Sequence, residues 1–486
     1  MLRRCQLPWI VFSLTINLLP AQIGPPPSAP QTPRATQLPL EARPPNAGAA
    51  NPGSVPSGTV TAQPLSLSLE DAIQRGLRQN LSIIGTGDSA RYARAQRLST
   101  AAQLLPDING TVRETVQQID LAAMGFRVHV PIPGFDFPSI VGPFNYFDAR
   151  ANFGESVSLT GLRNWRAARE NVRSADLSVM DAKEIVALAV AGQYLQIGAS
   201  ASRIDTVKAQ IETARAVYQQ AVDRNKSGLN ARIDVNRSLV ELQNQQQRLT
   251  AATNDFEKQK LALARLIGLP LAQSFTLADT IPYRELPPAA LDTLIQRALA
   301  ERADVRAAAA QVHAAELARK AAIAERYPWV DLTADYGAIG TNPSQSHGTF
   351  GVTGAVRFPI FRSGRTEADI EAAAAVLAQR KAEYEDLRGR AEQDVRVAML
   401  DLTSAAEQVR VAESNRKLAG ETIEQARDRF RAGVADTIEV VQAQESVASA
   451  EQDYINALYM YNLANVSLAR AAGQTAEGIA RLLRGR

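Results

Sequence analysis

The residues with chemical potential are few. The chain has three histidines, His129, His313 and His347, and one cysteine, Cys5. No histidine has a partner at metal-ligand spacing. No nucleophile–base pair, glycine-rich phosphate loop or pair of catalytic acids can be traced. The sequence therefore predicts no catalytic residues, no metal ligands and no bound cofactor. Two carboxylates stand out because their surroundings repeat. Residues 227–235 read Ser-Gly-Leu-Asn-Ala-Arg-Ile-Asp-Val, and residues 432–440 read Ala-Gly-Val-Ala-Asp-Thr-Ile-Glu-Val. Asp234 and Glu439 occupy matching places after Gly228 and Gly433. Gln442 follows Glu439 by three residues, so the two share a helix face. The chemistry open to such acids is electrostatic.

The elements that carry them are long. From about Leu162 to Asn225 there is no proline and one glycine, Gly192. From about Arg365 to Arg431 there is again no proline, with Gly389 and Gly420 as the glycines. Helical patterning resumes after each glycine break and runs to Ile267-Gly268 and Ala472-Gly473. A helix of roughly 60 residues is about 90 Å long, so it must lie beside others of similar length. Dense alanines, such as Ala372 to Ala375, allow close approach. Short helices precede these spans. One starts near Ser68, an N-cap with Asp71 three residues on, and its counterpart is Pro287-Pro288-Ala289-Ala290-Leu291. Each runs into a second helix, which ends at Leu105-Pro106 or Tyr327-Pro328.

Between the short and long helices the period changes to two. Val330, Leu332, Ala334 and Tyr336 face away from Asp331, Thr333 and Asp335. Phe350, Val352, Val356 and Phe358 form a second such set. Residues 151–159 and, more weakly, 108–116 give two more. Four strands of about ten residues match the length and alternation of tilted membrane strands. The landmarks Pro106 and Pro328 lie 222 residues apart, and Gly228 and Gly433 lie 205 apart. The first half thus holds about 17 extra residues, assigned to a loop over 119–147, rich in proline and phenylalanine.

Composition bounds the rest. The formal net charge is +3, and Arg3 and Arg4 fall in a segment expected to be removed, so there is no basic excess for nucleic acid. Residues 1–22 have the outline of a secretory signal. Cys5 precedes its apolar run, the wrong place for acylation. No other stretch approaches 18 apolar residues, so any membrane crossing would use strands. The expected organisation is a signal at 1–22, a disordered proline-rich segment at 23–64, a first repeat at 65–280, a second at 281–475 and a tail at 476–486.

In order, spacing and duplication this resembles the TolC family of outer-membrane efflux proteins. The resemblance covers roughly residues 65–475. It rests on Leu-Ser-Leu-Glu-Asp-Ala-Ile at 67–73, the two proline corners, Phe358-Pro359-Ile360-Phe361-Arg362-Ser363-Gly364-Arg365, and the glycine turns. It implies a mixed α and β fold: a duplicated repeat of long antiparallel helices and β-hairpins. In such a family three chains form one twelve-stranded barrel, in contact with outer-membrane lipid and continuous with a periplasmic helical barrel. The implied function is an exit duct for efflux or type I secretion, with a periplasmic adaptor (membrane fusion) protein and an inner-membrane transporter as partners. The resemblance places Glu439, Asp234 and Gln442 at the pore entrance, where a ring of carboxylates would favour cations. It places adaptor docking at Ser227, Gly228, Leu229 and Asn230, and at Ala432, Gly433, Val434 and Ala435. Neutral Gln442 breaks a second acidic ring, and Ala435 stands where some members carry a latching arginine. The competing reading is a periplasmic coiled-coil adaptor without a pore. Two helical hairpins and four strands argue against it.

Overall fold

A computed structural model of the protein describes residues 53–125, 138–228, 231–279, 290–432, 434–435, 437–474 and 478. The first half runs β1 (Leu65–Leu67), α1 (Leu69–Gln79), α2 (Leu81–Ala102), β2 (Asp107–Asp120), β3 (Ile140–Val157), α3 (Leu159–Lys226) and α4 (Arg232–Ile267). The second runs β4 (Phe275–Leu277), α5 (Leu291–Glu301), α6 (Ala303–Ala324), β5 (Trp329–Gly340), β6 (His347–Arg357), α7 (Arg365–Arg431) and α8 (Thr437–Ala471). The repeat is nearly isometric. α1 and α5 have 11 residues each, α2 and α6 have 22 each, and α3 and α7 have 68 and 67. The parallel pair β1–β4 aligns Leu65 with Phe275 and Leu67 with Leu277. Each of these strands precedes the short helix of its half.

The residues fall into two compact units. One is the sheet, Pro106–Glu155 with Asp331–Ala355; the other holds the helices. The sheet has the order β2-β3-β5-β6. Register pairs Asn109 with Asn152, Thr111 with Arg150 and Arg113 with Asp148, which builds one polar face. On it Arg150 bonds Asp148 at 2.6 Å and Asp335 at 3.1 Å, and the Asn152 amide donates to Asn109 at 3.2 Å. The opposite face carries Ile108, Val112, Leu332, Tyr336, Phe350 and Val352, all exposed, with Val112 at 77% and Phe350 at 78%. A soluble sheet of this kind would bury that face.

The strands are longer than the alternation indicates. β3 starts at Ile140, so residues 140–147 are strand and not part of the loop expected over 119–147. Phe144 and Tyr146 lie on the polar face and Phe147 on the other, which hides the period of two. Residues 126–137 of that loop lie outside the described residues.

Disorder was expected over residues 23–64, but residues 53–64 are held by hydrogen bonds to helix ends. Val55 N–H donates to Gln79 O at 2.9 Å, Ser57 N–H to Gly268 O at 2.8 Å, and Thr61 N–H to Gln273 Oε1 at 2.6 Å. The Ser54 hydroxyl donates to Leu266 O. Helix ends leave carbonyls without partners, and this segment satisfies those of α1 and α4. Gly268 has φ +68°, and a Cβ there would lie 2.6 Å from Val55 O, so glycine serves both the αL cap and the close approach.

In the helical unit the long helices bury narrow stripes. In α7 the inward residues are Ala391, Val395, Ala398, Leu402, Ala405, Val409, Ala412, Arg416, Ala419, Ile423, Ala426 and Phe430. That is an unbroken heptad, with alanine at every seventh place from 391 to 426. α8 answers with Val440, Ala443, Val447, Ala450, Tyr454, Ala457, Tyr461, Ala464, Leu468 and Ala471. The pairing is antiparallel: Phe430 meets Val440 and Ala443, while Val409 meets Tyr461. Alanine on both sides brings the backbones close, and larger residues fill the gaps between. The α3–α4 seam is more polar, with the Ser200 hydroxyl 2.6 Å from Gln259 Oε1.

α3 also carries an 18-residue window of mean hydropathy 1.3, apolar enough to cross a membrane by composition, contrary to the sequence expectation. It packs as core instead: Val186, Ala187, Val190, Ala191, Tyr194, Leu195 and Ile197 are buried against α1, α4 and α8. One buried charge network joins the helices there. Arg302, 4% exposed between α5 and α6, bonds Asp304 and Asp394 at 2.8 Å each. Its repeat equivalent, Asn80, is an uncharged cap whose side chain accepts from Ser82 N–H. Burial alone would raise the Asp304 pKa, but the Arg302 hydrogen bond and charge hold it below the usual range.

The alanine seam is testable. Ala412→Leu should overpack the α7–α8 interface and destabilise the protein by about 1–3 kcal/mol. Ser414→Leu, two residues away on the exposed face, should cost less than about 0.5 kcal/mol. Thermal unfolding followed by helical circular dichroism separates the two. Equal shifts would remove the seam from the account.

Candidate pore entrance

Both turns lie where the long helices reverse. α3 ends on Ser227, whose hydroxyl donates to Asp223 O at 3.1 Å. Gly228 follows at φ +77°, which a side chain would strain. Leu229 and Asn230 lie outside the described residues. α4 starts without a side-chain cap, and Asp234 sits in its first turn, where a carboxylate is favoured. Its near cation is Arg237, at 3.7 Å one turn on. α7 ends at Ala432, and Val434 N–H reaches back to Arg429 O at 3.0 Å, a Schellman-type closure. Gly433 lies outside the described residues. Val434 is 68% exposed and Ala435 is half-buried.

The acids differ in their partners. Arg429 Nε lies 3.0 Å from Glu439 Oε1, a bridge across the turn between the last turn of α7 and the first of α8. Both side chains stay accessible, at 58% and 40%, so the pair adds little stability but fixes where the two charges stand. Gln442 is exposed on the same face of α8, and its carbonyl accepts from the Ser446 hydroxyl.

Beneath the bridge lies an apolar knot. Phe430 is 2% exposed and packs against Val217, Ile423, Ala426, Val440 and Ala443. The Arg224 guanidinium, from the last turn of α3, stacks 4.6 Å from its ring. Phe430 therefore clasps the first hairpin to the second, through a side chain from each of α3, α7 and α8. Sequence reading placed Phe430 in the turn motif but missed Arg224 and Val217, which come from 200 residues away. The heptad was the available signal, because Phe430 is its last large position. Among the described residues no three His, Cys, Asp or Glu side chains cluster at metal-ligand distance.

Two long helical hairpins, each entered from a pair of membrane-type strands and arranged as an internal duplication, define an outer-membrane channel subunit rather than an adaptor. The family model described as outer membrane efflux protein matches residues 73–269 and 294–474, and the chain belongs to that family. It is 24% identical over 424 residues to the pyoverdine export outer membrane protein OpmQ of Pseudomonas putida, covering 84% of this chain and 86% of that one. Its fold is that of the outer-membrane channel OprN, with TM-score 0.71, 19% identity and coverage of 84% and 90%. VceC of Vibrio cholerae is similar, with TM-score 0.70, 19% identity and coverage of 84% and 96%. The protein is thus an outer-membrane efflux component.

Truncating the clasp tests this geometry. Phe430→Ala should cost about 3–5 kcal/mol locally. Amide exchange over residues 423–447 should quicken by at least tenfold while the β1–β4 region, in the same helical unit, keeps its protection. Uniform loss of protection would mean that Phe430 supports the whole fold and is no local clasp.

Proposed function

We propose that this chain is one third of a passive exit duct in a three-part efflux assembly. Three copies supply four strands each to a twelve-stranded barrel, wide enough for an aqueous lumen. The helices of the three copies form a periplasmic tube. An adaptor docks on the hairpin turns, Ser227–Asn230 and Ala432–Ala435, and an energised inner-membrane transporter delivers the cargo. The observation that carries this reading is the sheet. β2 and β6 each have one bonded neighbour, one sheet face is polar and the other is apolar and exposed. In hydrocarbon every backbone polar group needs a partner, so a sheet with two open edges must be closed by other strands. Its apolar face then meets lipid and its Arg150–Asp148–Asp335 face meets water.

At the entrance, three copies of Glu439 and of Arg429 recur about the axis. The bridge between them offsets the acid's field, so the entrance is a paired ring and its cation preference is muted. Reconstitution in planar bilayers tests the reading. Wild type should form channels. Arg429→Ala should raise the cation-to-anion permeability ratio roughly twofold or more, and Glu439→Ala should lower it. Absence of channels, with recovery as a soluble periplasmic monomer, would refute the duct. Channels whose selectivity ignores both substitutions would refute the entrance assignment alone.

A further inference from the structure

We propose that the helical unit holds a calcium site between its two long hairpins, built on Glu241, Gln245 and Gln444. A chamber of about 310 Å³ lies among α3, α4, α7 and α8 and is lined by these three residues with Thr213, Arg427 and Glu451. Gln245 is 1% exposed, Glu241 6% and Gln444 7%. Gln245 Nε2 donates to Glu241 Oε1 at 2.7 Å, while Gln245 Oε1 has no partner. Gln444 is bare at both ends, with neither Oε1 nor Nε2 hydrogen-bonded. Three unpaired amide atoms in one helical core are costly, and buried polar atoms are otherwise almost always satisfied. A bound group that accepts lone pairs answers two of the three, and its water shell answers the third.

The charges select a cation. The positive groups have carboxylate partners of their own: Arg427, on the chamber wall, bonds Glu424 at 2.7 Å, and Arg248 bonds Glu445 at 3.0 Å. Glu241 faces Glu445 from α8, and Glu451 borders the same chamber. The chamber thus concentrates carboxylate charge that a cation would relieve.

The donors select the ion. Carboxylate, amide carbonyl and hydroxyl oxygens are hard ligands, and no histidine or cysteine lines the chamber. Side chains drawn from several helices give an irregular set. Calcium accepts six to eight oxygens in irregular geometry and fills vacancies with water, whereas magnesium requires a near-ideal octahedron. Glu241 and Gln444 lie about two turns into α4 and α8, so the ion would pin the first hairpin to the second just above the turns. It would act in parallel with the Phe430 clasp, through different residues.

The test is calcium titration calorimetry on the full-length, detergent-purified protein, with magnesium as a parallel arm. One calcium should bind per chain with a dissociation constant on the order of 10⁻⁴–10⁻³ M, and magnesium at least tenfold more weakly. Glu241→Gln and Gln444→Leu should each weaken calcium at least tenfold. If Glu241→Gln fails to fold, Gln444→Leu decides, because it removes only a neutral amide. Absence of saturable binding by wild type overturns the site and leaves the chamber to water. Unchanged binding in Gln444→Leu overturns it too, as does loss of binding in Glu439→Gln alone, which would move the ion to the entrance.

Discussion

A helix of 67 residues cannot stand alone in water, and the interaction on which this structure depends is the alanine seam that binds α7 to α8. Alanine recurs every seven residues on both helices, so their backbones approach closely while Val395, Val409, Phe430 and Tyr461 fill the space between. The period of seven keeps the stripe in register over nine turns or more, and it makes the helices supercoil gently. Everything at the second turn inherits that register. Phe430 is the last large position of the α7 stripe and Val440 the first of the α8 stripe, so the turn closes over a filled core. The Arg429–Glu439 bridge is then placed by the backbone rather than by its own modest energy.

The seam also explains why the two hairpins differ. Where α8 repeats alanine, α4 carries Ser238, Gln245, Ala252 and Gln259 at seven-residue steps. The first hairpin therefore holds hydrogen-bonded contacts, such as Ser200 with Gln259, and exchanges close packing for polar groups that need partners. Gln245 is where such a need is left unmet, and Gln444 of α8 is a second unmet group on the same chamber. A polar layer in a helical core costs stability, and it fixes pairing and provides a place for water or an ion.

Much of this was legible in sequence because the signals are long. Absence of proline over 60 residues bounded α3 and α7 within a few residues of their ends, and duplication reinforced every weak element. Strand alternation placed β5 and β6 closely. It failed at β3, where aromatics on both faces and Pro143 mask the period. The three-residue β1 and β4 are too short to signal, since each is fixed only by its partner in the other repeat. The ordered segment at 53–64 was missed for a related reason. Its composition says disorder, but its backbone donors meet the free carbonyls of two helix ends. At the second turn the sequence marked Glu439, while Arg429, Arg224 and Val217 emerged only when folding brought α3 and α7 beside it.

In the proposed duct the sheet and the helices share one requirement, which is completion by further copies. The open edges of β2 and β6, the exposed apolar face and the narrow buried stripes are the features that such a wall would complete. The most direct measurement is the protein mass of the detergent-solubilised particle by size-exclusion chromatography with light scattering. Three chains per particle, stable on dilution, is the predicted result. A folded, monodisperse single chain would contradict it, because an open four-stranded sheet would then be the finished structure.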